Sequence, residues 1–353
     1  MEQGSESLDR LQQVASRIRR RSVLALAVLT VIAAVSFLGC IFVGSVGLTL
    51  GDVFRALLGD DSDWSNYYIV TQIRVPRLLC AAMVGAALSL AGMCMQALFK
   101  NPMASPSVLG ISSGASFGAA FYIAIGVGIW NIPWGTTACA FVMSAVTMIL
   151  VYSLARGKGG VRTIMLLMSG MAISALFSGL TSGIEFFSDE DTVSSIVFWT
   201  MGSLAECTWG SVKLMVLPIV TGCFLILICS RELNLISSGE KKARALGVNV
   251  KRVRILLLIG DCLLVAGAVS SCGVIGFVGL IIPHIFRAVC GPDHMYLAPA
   301  CILGGASFLM LVDTVARTIV SPFELPIGII TSILGAPFFI YIMKRKEKTL
   351  WEV

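Results

Sequence analysis

The sequence predicts an all-α polytopic membrane protein with about ten transmembrane helices. Three observations support this class. Of the 353 residues, 57% are hydrophobic and only 13% are charged, whereas soluble domains average about 25% charged residues. Apolar runs of about 20 residues, the length that crosses the hydrocarbon core, recur along the chain. The 35 glycines suit the close helix contacts that membrane proteins form.

The apolar runs and the residues that interrupt them predict ten spans. The first run follows a basic cluster and has no cleavage site, so it is expected to be retained. The third and eighth spans are the weakest, because glycine and proline interrupt or shorten them. A further stretch, 193–204, is too short to cross and is expected to be re-entrant or interfacial. The spans are 23–43, 78–98, 107–127, 136–155, 163–182, 209–229, 254–272, 274–290, 297–317 and 327–343.

Lysine and arginine predict the orientation. The segments that connect the spans alternate between the two sides of the membrane and so form two sets. One set contains only five of the 26 basic residues, namely Arg55, Arg74, Arg77, Lys213 and Arg317. The positive-inside rule makes that set the outer one. Both termini are therefore expected to be cytoplasmic, with an N-terminal segment 1–22, a transmembrane domain 23–343 and a tail 344–353. No segment outside the membrane is long enough for a soluble domain, so an energy source must be another chain.

Several kinds of chemistry have no support in the sequence. The eleven cysteines lie mostly within apolar spans and form no CxxC or Cys/His zinc spacing, so they are expected to be small buried side chains. The segment Gly157-Lys158-Gly159-Gly160 lacks the hydroxyl and the spacing of a phosphate loop. We therefore expect no metal site, no covalently bound cofactor and no catalytic group.

The first notable segment is a turn at the inner side, at 101–110. Its two prolines interrupt helical backbone at membrane depth, which is tolerated only against protein or a water-filled cavity. It is either a structural turn between packed helices or part of an inner gate. The residues assigned to it are Asn101, Pro102, Ala104, Pro106, Leu109 and Gly110.

The second segment is the inner loop 231–253, with its centre at Gly239–Val248. Ala243, Leu246 and Val250 share one face at helical spacing, and the other face is charged. A short amphipathic helix is expected, which could lie on the lipid surface. Because the apolar face is small and glycines bound it, a partner protein is the favoured contact.

The third segment contains ionisable residues within or beside spans, which usually face an interior or a partner. Asp313 and Arg317 are four residues apart and can pair on one helix face. That pair could also simply neutralise itself near the outer interface. His284, close to Arg287, is expected to make a structural polar contact.

The ordered motifs in these segments resemble the FecCD family of ABC-transporter permeases, which serve iron–siderophore, haem and cobalamin import. The resemblance covers about residues 50–345 and is specific because the motifs occur in order. The motifs are RVPR at 74–77, NPMASPSVLG at 101–110, GEKKARALG at 239–247, IGFVGLIIPHIFR at 275–287, DTVAR at 313–317, ELPIG at 324–328 and GAPFF at 335–339.

This resemblance implies ten helices per subunit in two inverted five-helix halves. It implies a second permease, either another copy or a homologous chain, two ATPase subunits that use ATP and Mg, and a substrate-binding (lipo)protein. By resemblance, Arg74, Arg77 and Arg317 dock that binding protein, and the turn 101–110 and loop 157–163 form the inner gate. The loop 239–247 is then the ATPase coupling segment, through Gly239, Glu240, Ala243, Arg244, Leu246 and Gly247.

The residues alone also single out the three arginines. They lie beside span ends, are expected to be exposed, and could bind carboxylates in a bidentate manner.

The function expected is therefore that of the permease subunit of a binding-protein-dependent ABC importer. One alternative is an autonomous secondary transporter that is coupled to protons through Asp261 or Asp313. Another is a structural or receptor subunit without a transport path.

Overall fold

The chain is almost entirely helical. The computed structural model describes residues 2–44, 46–129, 132–157, 160–161, 163–320 and 322–351. The α-helices within these ranges are α1 (Glu2–Phe42), α2 (Leu50–Leu57), α3 (Trp64–Tyr68), α4 (Val75–Leu98), α5 (Ile111–Phe121), α6 (Val127–Ile129), α7 (Gly135–Ala155), α8 (Thr163–Phe187), α9 (Glu190–Thr200), α10 (Trp209–Ile228), α11 (Ser230–Ser238), α12 (Glu240–Ala245), α13 (Val250–Cys272), α14 (Val278–Cys290), α15 (His294–Ala316) and α16 (Ile327–Trp351).

Shorter elements join some of these helices. A π-helical segment, Ile69–Arg74, makes α3 and α4 continuous, and another, Tyr122–Gly126, joins α5 to α6. Pro106–Leu109 forms a 3₁₀ turn before α5. The strands β1 (Arg156–Gly157) and β2 (Gly160–Val161) form a small antiparallel hairpin between α7 and α8. The predicted gate loop 157–163 lies here, but its residues Lys158, Gly159 and Arg162 are outside the described residues.

The membrane spans agree with the prediction. Eight helices in the described part of the chain are long and apolar enough to cross a membrane, and two shorter apolar helices stand at the eighth and tenth predicted positions. The eighth is short because Gly273 and Phe277 have positive φ angles of 70° and 65°, so the chain enters α14 only at Val278. The all-α polytopic prediction is confirmed.

The stretch 193–204, expected to be too short to cross, contributes to α9. This helix has 11 residues, so it is about 16 Å long. Asp189 caps it, since its carboxylate accepts a hydrogen bond from the backbone N–H of Thr192 at 2.8 Å. The expectation of a short, non-spanning segment is therefore consistent with the helix length.

Helix α4 lies at the centre of the bundle, packed against α13, α14 and α15. Glycines allow its backbone to approach its neighbours closely. A Cβ atom at Gly85 would lie 2.1 Å from the carbonyl oxygen of Gly305, and one at Gly92 would lie 1.9 Å from that of Gly279. No side chain fits at these two crossings, so they fix α4 against α15 and α14.

Candidate functional site

Two ends of the bundle carry the residues that the sequence singled out. We call the end that contains Arg74, Arg77 and Arg317 the arginine end, and the end that contains α11 and α12 the loop end. At the arginine end the indole N–H of Trp209 donates to the carbonyl of Thr71 at 2.9 Å. The start of α10 therefore lies beside the start of the α4 span.

Arg77 is the centre of an ion cluster at the arginine end. Its Nε donates to Asp313 at 3.0 and 3.2 Å, and its Nη2 lies 2.9 Å from the same carboxylate. Its Nη1 contacts both oxygens of Glu324 at 3.0 and 2.9 Å. The Asp313 side chain is completely buried, whereas Glu324 leaves 35% of its side chain exposed. One guanidinium thus joins α4 to α15 and to the segment before α16.

Arg317 and Arg74 hold the end of α1. Arg317 Nη2 donates to the carbonyl of Cys40 at 2.6 Å, and Arg74 Nη1 donates to those of Ile41 and Phe42 at 2.6 and 3.2 Å. Arg74 Nη2 also contacts the carbonyl of Val46. The last carbonyls of a helix lack intrahelical partners and carry partial negative charge, so two cations here stabilise the C-terminal end of α1.

The expectation that these three arginines are exposed is wrong. Their exposures are 3% for Arg74, 6% for Arg77 and 4% for Arg317. The physical reason is that Asp313, Glu324 and the carbonyls of α1 take up most of their donors, although Arg317 Nε has no hydrogen-bond partner in the described part of the chain. The predicted pairing of Asp313 with Arg317 is present, with 3.8 Å between Nε and Oδ2, but Arg77 is the closer partner of Asp313.

The sequence contained one signal that pointed to this cluster. A carboxylate within a membrane span needs a cation, because burying an unpaired charge is costly. Asp313 occupies such a position, and Arg77 begins the span that packs against α15. Glu324 and the carbonyls of α1 carry no comparable signal.

At the loop end, α12 is held firmly although it has only six residues. Ala243 is fully buried, and Glu240 makes a short ion pair with Arg254 of α13. Arg244 lies 3.6 Å from Glu240, but 70% of its side chain is exposed. The segment 239–247 therefore contains a supported helix with one exposed charged face, and its role in ATPase coupling stays a prediction.

The expectation that Ala243, Leu246 and Val250 share an apolar face is wrong. Ala243 and Val250 are buried, whereas Leu246 is 68% exposed. Helix α12 ends at Ala245, and Gly247 has a φ of 85° that reverses the chain. Leu246 therefore points away from the bundle, as the one large exposed apolar residue of 239–247.

The turn 101–110 packs between two helices. Its buried residues are Ala104, Pro106, Leu109 and Gly110, whereas Asn101 is exposed. Gly110 has a φ of 77°, and a Cβ atom there would lie 2.8 Å from the hydroxyl of Ser174 in α8. On its other side, Pro102 lines an apolar crevice with Phe277 and with Phe338 of α16. The turn therefore contacts α8 and approaches α16, and its role as a gate stays a prediction.

The two candidate proton carriers lie in different surroundings. Asp313 is held by Arg77 and contacts Arg317, so it is already compensated by positive charge. Asp261 is fully buried in α13 and neither of its oxygens has a hydrogen-bond partner in the described part of the chain. No group of three or more His, Cys, Asp or Glu residues in that part is placed to hold a metal ion.

The fold defines a class of protein: a multi-pass membrane protein built from a helical bundle that leaves a short helix pair projecting at one end. Comparison with known families identifies it further. The FecCD transport family matches residues 26–345, and the chain belongs to this family. It is therefore an ABC-transporter permease, as the ordered motifs predicted.

Relatives and a solved structure agree with this assignment. The chain is 36% identical over 331 residues to the hemin transport system permease protein HmuU of Yersinia pestis, covering 92% of this chain and 96% of HmuU. It is 40% identical over 279 residues to the cobalamin import system permease protein BtuC of Halobacterium salinarum, covering 79% and 74%. A chain from an inward-facing ABC transporter assigned to the metal-chelate type superposes with a TM-score of 0.81 at 34% identity, covering 91% and 98%.

Proposed function

We propose that this permease carries a bulky metal chelate, such as an iron–siderophore, haem or cobalamin complex, across the cytoplasmic membrane. The names of the relatives, which include a hemin and a cobalamin permease, support this substrate class. The distribution of lysine and arginine supports cytoplasmic termini and an outer position for the arginine end.

The path would lie between this chain and a second permease, either another copy or a homologous chain. Large apolar side chains are exposed on two helices that could line such a contact. These include Met168 and Met171 on α8 and Ile333 and Leu334 on α16. The turn 101–110 lies between these helices, which is why we assign it to the inner gate.

Two ATPase subunits would bind at the loop end and use ATP and Mg. The observation that carries this proposal is the exposure of Leu246 beside a helix that Ala243 and the Glu240–Arg254 pair hold in place. An exposed leucine next to a rigid support can enter an apolar pocket of a partner without a large loss of conformational entropy. Movement of the ATPases would then pass to α13, which follows α12 directly.

The test is reconstitution of the permease with its ATPase pair and binding protein in proteoliposomes. Leu246→Asp should reduce ATP-driven uptake of the chelate by about 10- to 100-fold, as expected for loss of a central interface residue. Co-purification with the ATPase pair alone should also weaken for Leu246→Asp and stay unchanged for Leu58→Asp, a matched control because Leu58 is 85% exposed but lies before α3 at the arginine end. Uptake that a proton gradient drives without the ATPases would contradict the proposal.

A binding protein would dock at the arginine end, and we propose that Arg77 takes part only after Glu324 moves away. Glu324 is the exposed member of the cluster, so a carboxylate of the binding protein can replace it on Arg77 Nη1. Arg74 and Arg317 support the docking surface indirectly, because they fix the end of α1 next to it.

This docking proposal predicts that Glu324→Gln raises the affinity for the binding protein by about 3- to 10-fold, because a competing charge is removed. Glu206→Gln, at another exposed acid of the same end, is the control. Affinity can be measured by surface plasmon resonance with permease in nanodiscs. A lower affinity for the Glu324 variant would make Glu324 itself a docking contact and would contradict the exchange.

A further inference from the structure

Three of the eleven cysteines meet at one place near the arginine end. The sulfurs of Cys207 and Cys272 are 3.6 Å apart, although 65 residues separate them in the chain. The Cys80 thiol is close enough to Cys207 to interact with it electrostatically. All three residues are buried, and they come from three elements: the segment between α9 and α10, the end of α13 and the first turns of α4.

Of the three thiols, Cys207 is the one that lies outside the membrane-spanning helices and is influenced by the positive charge of Arg77. Hydrogen bonds from the Cys272 and Cys80 thiols lower the pKa of Cys207 against the effect of its burial, and the positive charge of Arg77 lowers it further. The thiolate is the nucleophilic form of cysteine. The geometry thus provides a nucleophile and a second thiol that is ready to trap the oxidised product.

We propose that Cys207 and Cys272 form an oxidisable pair, which a hydroperoxide converts to a disulfide that restrains the segment before α10 and reduces transport. The sulfurs must approach by about 1.5 Å to reach the length of a disulfide bond.

The reaction with hydrogen peroxide balances in two steps. The Cys207 thiolate attacks one peroxide oxygen, so that an S–O bond forms, the O–O bond breaks and the departing hydroxide takes up a proton to become water. The Cys272 thiol then loses its proton and attacks the sulfenic sulfur, so that the S–S bond forms and hydroxide leaves with that proton as water. Two thiols are oxidised, and one peroxide is reduced to two waters.

The position of the pair explains why such a disulfide would affect movement. The segment before Cys207 is a junction of three elements. The N–H of Ser203 donates to the carbonyl of Cys272 at 2.8 Å, and the N–H of Ile327 donates to that of Gly202 at 2.9 Å. The segment therefore links the end of α9 to α13 and to the first turn of α16.

Close backbone packing makes this junction intolerant of displacement. A Cβ atom at Gly273 would lie 2.1 Å from the carbonyl oxygen of Trp199, and one at Gly328 would lie 2.2 Å from that of Met201. In the reduced protein, packing and hydrogen bonds hold the segment to α13, and both can be broken and restored when the helices move. A covalent bond prevents this separation, so α9 and α16 can no longer move relative to α13.

The experiment treats the permease–ATPase complex in proteoliposomes with hydrogen peroxide, then blocks free thiols and maps peptides by mass spectrometry without reduction. A peptide linked through Cys207 and Cys272 is expected in the wild type. It should be absent from Cys207→Ser and from Cys272→Ala, and present in the Cys290→Ser/Cys301→Ser control, whose cysteines lie on α14 and α15. Absence of the wild-type link, or a Cys80–Cys207 link in its place, would overturn the proposal.

The second readout, uptake, rests on the proposed function. Peroxide is expected to lower ATP-driven uptake by on the order of tenfold in the wild type, because restraint of a moving element slows turnover. Dithiothreitol should restore it, and Cys207→Ser should be insensitive. A disulfide that leaves uptake unchanged overturns the restraint. Failure of uptake in untreated wild-type protein would instead count against the proposed function, since the peptide map does not depend on transport.

Discussion

At the arginine end, three arginines are at most 6% exposed, and each one donates to groups of its own chain. At the loop end, Arg244 leaves 70% of its side chain exposed, and Leu246 is 68% exposed. The first set of charges holds helices together, whereas the second end keeps an apolar and a charged side chain available. This difference teaches that an arginine beside the end of a span can stabilise the packing of the helices, even where its sequence motif suggests contact with a partner protein.

The largest effect is expected from removal of the shared carboxylate at the arginine end. Asp313→Asn leaves Arg77 and Arg317 without their buried counter-charge, so the free energy of unfolding should fall by about 3–5 kcal/mol. Denaturant titration of the purified permease in mixed micelles measures this change. Glu324→Gln is the matched control and should cost no more than about 1 kcal/mol, because Glu324 is partly exposed. Equal losses for both variants would contradict a buried cluster centred on Asp313.

A smaller effect is expected when the charge at Arg77 is kept but its shape is changed. Arg77→Lys should lower the free energy of unfolding by about 1–3 kcal/mol, because an ammonium group cannot face Asp313 and Glu324 with separate pairs of donors. The same titration applies. A variant as stable as the wild type would show that net charge, rather than the planar guanidinium, holds α4 to α15.

At the loop end, loss of the buried ion pair of Glu240 should lower stability more than loss of the exposed one. Arg254 leaves 12% of its side chain exposed and Arg244 leaves 70%. Arg254→Gln should therefore lower stability by about 1 kcal/mol, and Arg244→Gln by about 0.3 kcal/mol. Hydrogen exchange of the α12 amides compares the two variants directly. If the amides of α12 exchanged faster in the Arg244 variant than in the Arg254 variant, the Glu240–Arg244 pair would be the one that supports the helix.

The smallest effect on stability is expected at Leu246. Leu246→Ala should change the free energy of unfolding by less than about 0.5 kcal/mol, because the side chain contacts solvent in the isolated permease. Binding of the ATPase pair to the same variant should weaken, which co-purification at fixed detergent concentration measures. A clear loss of stability without weaker ATPase binding would assign Leu246 to the packing of the bundle.

The spans could be predicted because run length and composition determine them locally. Even the weak eighth span was correct in position, and its shortness follows from the positive φ angles at Gly273 and Phe277. The helices α2 and α3 were missed, since they are short and sit in a polar segment that shows no span signal.

The burial of the arginines could not be predicted in the same way. Arg77 and Asp313 are 236 residues apart in the chain, and the acceptors for Arg74 are backbone carbonyls, which leave no trace in a sequence. Leu246 was assigned to the wrong face because helical spacing was extended past the end of α12. Long-range pairing and helix ends therefore account for both errors, whereas the spans and motifs were read correctly.

The contact between Arg317 and the end of α1 has a consequence for biogenesis. The carbonyl of Cys40 is synthesised 277 residues before the guanidinium of Arg317, from which it accepts a hydrogen bond. Arg74 can hold the carbonyls of Ile41 and Phe42 soon after α1 is made, whereas the carbonyl of Cys40 gains its partner only with the late insertion of α15. A permease truncated before α15 should retain α1 in the membrane but leave the C-terminal end of α1 more accessible to protease, so formation of this contact indicates that the last part of the chain has packed against the first.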